Sequence, residues 1–174
     1  MQLTHLPGAC TVAPVMHNPA SMQAKTIAKW FIDRANSEFV DDNGVAEGIT
    51  NLKLQKLLYF AQAASLSIRG ETLFDDAIEA WKFGPVVPSV YHALKERGNS
   101  VIPNGAVNDD TIIPSEIAVL LEDVWNIYGK FSAFELVNMS HAHKPWKDVF
   151  MKRGDGVISI ESMRTYYESF FTAA

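Results

Sequence analysis

Cysteine occurs once in the 174 residues, at Cys10, so an intramolecular disulfide is excluded and so is a Cys-rich zinc site, which fits a reducing cytosol. Long apolar runs are missing as well; no stretch approaches the roughly 20 uninterrupted apolar residues that a bilayer-spanning helix needs. Positive charge is scarce, with 15 Lys and Arg against 20 Asp and Glu, a net charge of -5 and a pI near 5.5. That balance argues against nucleic acid as the main partner, because binding it means neutralising phosphates. There is no GxSxG turn and no Gly-rich phosphate loop, so neither a nucleophile nor a cofactor is predicted and the chain reads as a non-enzyme. Residues 1–21 lack Lys, Arg, Asp and Glu altogether but hold three of the eight prolines. This segment has neither the basic start nor the unbroken apolar stretch of a secretory signal, and it reads as a disordered or non-native extension of a cytoplasmic protein. The domain proper is expected over residues 22–174.

What is present is mostly helical periodicity. Ala24, Ile27, Ala28, Phe31, Ile32 and Ala35 step by three and one, predicting a helix from about Met22 to Asn36. Asp41-Asp42-Asn43-Gly44 marks a loop, and Thr50 is a candidate N-cap for a helix carrying Leu54, Leu57, Leu58, Ala61, Ser65 and Ile68 up to Gly70. Leu52 and Phe60 widen that stripe enough to suggest a central helix. Gly84-Pro85 is a break, Pro88 opens a third helix ending near Gly98, and Val101-Ile102 is a candidate short strand. Pro114 opens a fourth helix with Ile117, Leu120, Leu121, Val124 and Tyr128 on one stripe, stopped by Gly129. Ser132-Ala133-Phe134-Glu135 is a capping box for a fifth, which Pro145 ends or kinks. A short helical turn over 146–151 and a terminal helix from near Ser159, with Met163, Tyr166, Tyr167, Phe170 and Phe171, complete the chain. The expected fold is all-α: one bundle of about six helices with at most a marginal strand pair.

Candidate chemistry is thin. His141 and His143 stand at i, i+2 and point to different sides of a helix, whereas two metal ligands on one face need i, i+3 or i, i+4. A histidine capping a C-terminal turn is the better account, and no metal is predicted. Asp41-Asp42, Asp75-Asp76 and Asp109-Asp110 fall in predicted loops and read as solvated charge. Lys53 and Lys56 flank the second apolar stripe, with stems able to snorkel along it. Lys144, Lys147, Lys152 and Arg153 form a modest basic cluster. The most informative stretch is Trp81-Lys82-Phe83-Gly84-Pro85-Val86-Val87-Pro88, where large aromatics surround a rigid break. A buried corner is one reading; the other is that Lys82 and Phe83 project from it as an interaction patch.

Three segments in register carry a resemblance: Leu52-Lys53-Leu54-Gln55-Lys56-Leu57-Leu58-Tyr59-Phe60-Ala61-Gln62, then Glu79-Ala80-Trp81-Lys82-Phe83-Gly84-Pro85-Val86-Val87-Pro88-Ser89-Val90-Tyr91, and later Ser132-Ala133 with Leu136, Ser140-His141 and Pro145-Trp146. Over about residues 22–171 the chain resembles the Panacea antitoxin domain family of SocA-like and GepA-like, phage-associated proteins. The resemblance implies a mostly helical domain of bacteria and prophages, encoded beside a toxin gene and acting as its protein antidote. The toxins of the family differ widely and include alarmone-synthetase-like enzymes that attack translation; one branch delivers its toxin to a protease. By position, Leu54, Leu57, Leu58, Ala61, Trp81, Gly84, Pro85, Tyr91 and Trp146 would be framework residues, and Ser140-His141 would close the fifth helix. Toxin-contact residues do not transfer, because a scaffold serving many toxins must vary its contact surface.

The expected function is therefore that of an antitoxin binding a cognate toxin directly, the toxin being the product of an adjacent gene. An acidic surface suits a toxin with a basic, phosphate-binding cleft. The alternatives are a proteolysis adaptor and, from the helix, turn, helix layout expected around Gly84-Pro85, a DNA-binding regulator.

Overall fold

The computed structural model describes residues 21–38 and 48–171. The apolar spacings in them become α1 (Ala24–Glu38), α2 (Asn51–Ile68), β1 (Glu79–Trp81), β2 (Gly84–Val86), α3 (Pro88–Leu94), α4 (Ser115–Tyr128), α5 (Ala133–Ala142), α6 (Lys144–Arg153) and α7 (Ile160–Phe171), with a 3-10 turn at Lys95–Arg97 continuing α3. The fold is thus mainly α, with seven α-helices and one two-stranded antiparallel sheet among the described residues. The sequence expectations for residues 1–20, for the Asp41–Gly44 loop and for the side chains of Phe170 and Phe171 lie outside the described residues.

Local chemistry starts the helices where the sequence placed them. The Thr50 hydroxyl accepts from the Lys53 N–H at the head of α2. At α5 the capping box is complete: Ser132 N–H donates to Glu135 Oε2 at 2.7 Å, and Glu135 N–H donates back to Ser132 Oγ. The stripe of α1 is buried throughout, from Ala24 to Ala35. Its N-terminus is held by the acidic loop residues, which are not merely solvated: Ala24 N–H donates to Asp76 Oδ2 at 2.9 Å, and Thr26 Oγ1 donates to Asp109 Oδ2 at 2.7 Å. Hydrogen bonds from Thr111 and Thr26 lower the Asp109 carboxyl to about 2.

Helix α2 is the axis of the molecule. It packs against α1, α3, α4, α5, α7 and β2, and 13 of its 18 residues are buried. Buried on nearly every side, it cannot carry a polar face to water, so its polar residues must find partners inside. Gln62 does this for the segment after the helix: its Oε1 accepts from Leu73 N–H and Phe74 N–H, and its Nε2 donates to Phe74 O. Ser65 Oγ donates to Glu71 O.

Several expectations change. The strand at Val101-Ile102 does not form; Ile102 N–H donates to Ile49 O and its carbonyl accepts from Asn36 Nδ2, with no ladder beyond them. The strand pair lies at β1 and β2, so the layout around Gly84-Pro85 is strand, turn, strand, helix rather than helix, turn, helix. Pro145 neither ends nor kinks a helix but sits in the first turn of α6, where a missing N–H costs nothing. The fifth helix closes one residue beyond His141, at Ala142.

Candidate interaction surface

Trp81 to Gly84 form a tight hairpin. Glu79 pairs with Val86, Ala80 with Pro85 and Trp81 with Gly84, leaving Lys82 and Phe83 as the two tip residues. No non-glycine residue among those described has a positive φ, so neither tip residue adopts the primed-turn conformation and the positive φ falls on the residue that follows them, Gly84 at +92°, as in a turn closed by a glycine bulge. A second constraint acts on the same atom. A Cβ on Gly84 would stand 2.7 Å from Ser140 Oγ and 2.8 Å from Lys56 Cε, so the backbone conformation and the packing both require glycine.

The base of the hairpin, which is the second resembling segment, is bolted down by side chains of the first and the third. Lys56 Nζ donates to Pro85 O at 2.7 Å, and Gln55 Oε1 accepts from Val87 N–H at 2.9 Å. From α6, Trp146 Nε1 donates to Trp81 O at 2.9 Å. Ala80 N–H donates to Gly156 O, tying β1 to the segment before α7. Trp146 is sandwiched between His141, at 3.8 Å and 13°, and Phe150, at 4.8 Å and 15°. Ser140 Oγ is occupied by Val137 O in its own helix.

Lys56 was expected to snorkel; instead it is wholly buried, with the Pro85 carbonyl as its acceptor. It leaves a flank of α2 that β2 and α5 close over, so the amine turns onto a backbone carbonyl instead of water. Burial lowers the amine to about 7. The same burial, then the nearby Lys56 charge, lowers His141, whose Nε2 is buried without a hydrogen-bond partner among the described residues. Lys53 behaves differently, reaching Gly129 O at 2.6 Å and so satisfying the C-terminal end of α4.

The tip faces outward beside a groove of about 480 Å³. Its floor is the N-terminal part of α2, at Asn51, Leu52 and Gln55; the hairpin, Tyr91 of α3 and Phe134 in the first turn of α5 line it too, and Lys95 and Asp155 complete its margin. The floor amides are already engaged with one another and with backbone: Asn51 Nδ2 donates to Tyr91 O, Gln55 Nε2 to Asn51 Oδ1, and Gln55 Oε1 serves Val87. Trp81 stands edge-on to Tyr91 at 4.9 Å, its Nε1 bonded to Glu79 Oε2. What the groove offers an incoming molecule is therefore aromatic surface. Phe83 is 54% exposed and Phe134 65% exposed, and Lys82 Nζ lies 5.6 Å from the centre of the Phe83 ring.

The residues expected as framework are buried or half-buried, and two of them, Trp81 and Tyr91, also line the groove. Leu54, Leu57 and Leu58 are fully buried, Gly84, Pro85 and Trp146 are buried, and Trp81, Tyr91 and His141 are half-buried. Lys82 and Phe83 are exposed together at the tip. Sequence reasoning missed Phe134 and Lys95 as parts of the same surface. For Phe134 a signal existed, since it falls off the buried stripe formed by Leu136, Val137 and Ser140. His141 and His143 go separate ways: His143 Nδ1 meets Tyr167 OH at 2.7 Å in the core. Among the described residues no cluster of three or more His, Cys, Asp and Glu could hold a metal ion, and no helix is long and apolar enough to cross a membrane.

Comparison with known proteins joins these features to one family. Residues 54–147 match the model described as antitoxin SocA-like, Panacea domain. The chain is 35% identical over 144 residues to Antitoxin SocA of Caulobacter vibrioides (strain NA1000 / CB15N), which covers 76% of this chain and 73% of that protein. No solved structure matches.

Proposed function

The chain belongs to the SocA-like antitoxin family of the Panacea domain, and from that premise we propose that it neutralises a protein toxin by binding it directly, in the cytoplasm, with the toxin encoded by a neighbouring gene. The observation that carries this reading is the pair Phe83 and Phe134, two largely exposed phenyl rings lining one groove. Exposed aromatic side chains beside a concavity are what a binding hot spot requires, because their burial by a partner releases a large apolar area at little entropic cost. The tip is rigidly based. Four hydrogen bonds anchor backbone atoms of Ala80, Trp81, Pro85 and Val87, so little ordering remains to be done on binding.

The test is expression of the adjacent open reading frame with and without this protein, followed by co-purification. Rescue of growth and co-elution, retained in cells lacking the major cytoplasmic proteases, are the expected results. Rescue that disappears without a protease moves the reading to a proteolysis adaptor, and rescue without a complex refutes direct neutralisation.

A further inference from the structure

The chemistry of the groove defines its occupant more narrowly than "a protein". Its floor amides already hold partners, and the large side chains it leaves exposed are aromatic, so an apolar inserted group is the one it is built to receive. Phe83, Phe134, Trp81 and Tyr91 all line it. Two ammonium groups, on Lys82 and Lys95, stand at the margins, and no carboxylate among the described residues pairs with either. One carboxylate, Asp155, shares the margin, leaving the lining locally positive on a chain of net charge -5. A basic segment would meet like charge here; an acidic one would be complemented.

We propose that this groove docks a short segment of the partner toxin in which an aromatic or branched apolar side chain is flanked by Asp or Glu. The apolar side chain enters between Phe83 and Phe134, and the flanking carboxylates reach Lys82 and Lys95. This rests on the antitoxin reading for the source of the segment, but the preference belongs to the groove and is measurable without the toxin.

The probe is a phage-displayed library of linear peptides panned against the full chain, with the enriched peptide then synthesised and titrated. The expected consensus has one large apolar residue with acidic residues within about four positions. Its affinity falls at least tenfold in the Phe83→Ser/Phe134→Ser variant and in the Lys82→Glu/Lys95→Glu variant. Replacing the peptide's carboxylates by lysines restores binding to the second variant. All four positions are exposed, so both variants keep the parent melting temperature, and Val119→Ser, on the exposed face of α4 outside the groove, binds as the parent does. Absence of a consensus, a basic consensus, or unchanged affinity in both variants overturns the proposal. Growth rescue without the peptide preference removes the groove and leaves the antitoxin function; the preference without rescue does the reverse.

Discussion

The base and the tip of one hairpin are built on opposite terms. At the base, Trp81, Gly84, Pro85 and Val87 are held by Lys56, Gln55 and Trp146 from two different helices, and Gly84 and Pro85 are sealed from water. At the tip, one residue away, Lys82 and Phe83 are exposed. The lesson is that recognition surface and scaffold need not occupy separate regions. A turn of two residues is enough to pass from sealed to exposed, provided its base is over-determined.

The largest expected effect comes from breaking the base at its tightest point. Gly84→Val must adopt a positive φ and press its Cβ against Ser140 and Lys56, a loss of about 3 to 5 kcal/mol, seen as a drop on the order of 10 °C in melting temperature. An unchanged melting temperature would refute the double constraint on this residue.

Next comes Lys56→Met, read as a function of pH. Below pH 7 the amine is protonated in both folded and unfolded chains, and the full cost of burying the charge is present. Between about 7 and 10.5 the folded amine is neutral while the unfolded one still binds a proton, so stability rises with pH by up to about 1.4 kcal/mol per unit and levels off above. Denaturant titrations at pH 7 and 9 should show this rise in the parent and lose it in Lys56→Met. In the same variant the His141 imidazole, relieved of a neighbouring charge, should titrate higher by NMR.

Trp146→Phe keeps the stack between His141 and Phe150 but removes the donor to Trp81 O. The expected loss is about 1 to 2 kcal/mol by chemical denaturation, together with faster amide exchange at the hairpin. The smallest effect on stability sharpens the contrast instead of breaking it: Phe83→Ser should change folding by less than about 0.5 kcal/mol yet weaken the partner by about 30-fold, measured by calorimetry on the purified pair. A stability loss equal to that of Trp146→Phe would erase the distinction between tip and base.

Much of this was legible in the residues. Helix positions, the Thr50 cap, the Ser132–Glu135 box and the framework set of Leu54, Leu57 and Leu58 all announce themselves through spacings of three or four. The hairpin did not, because three-residue strands are too short to display an alternation, and Pro85 inside one argues against a strand. Nor did Lys56. Charge on the flank of a stripe ordinarily means water, and only the closing of β2 and α5 over that flank excludes it.

By itself, then, the sequence determined the helices, their caps, the requirement for a break at Gly84-Pro85 and the family, because each of these depends on contacts within a few residues or on motifs read in order. The tertiary structure alone decided that a lysine is core, that Phe83 and Phe134, 51 positions apart, share a groove, and that the amides on its floor bond to one another and to backbone. Those facts depend on which surfaces meet, and burial and satisfaction of polar groups are properties of the meeting.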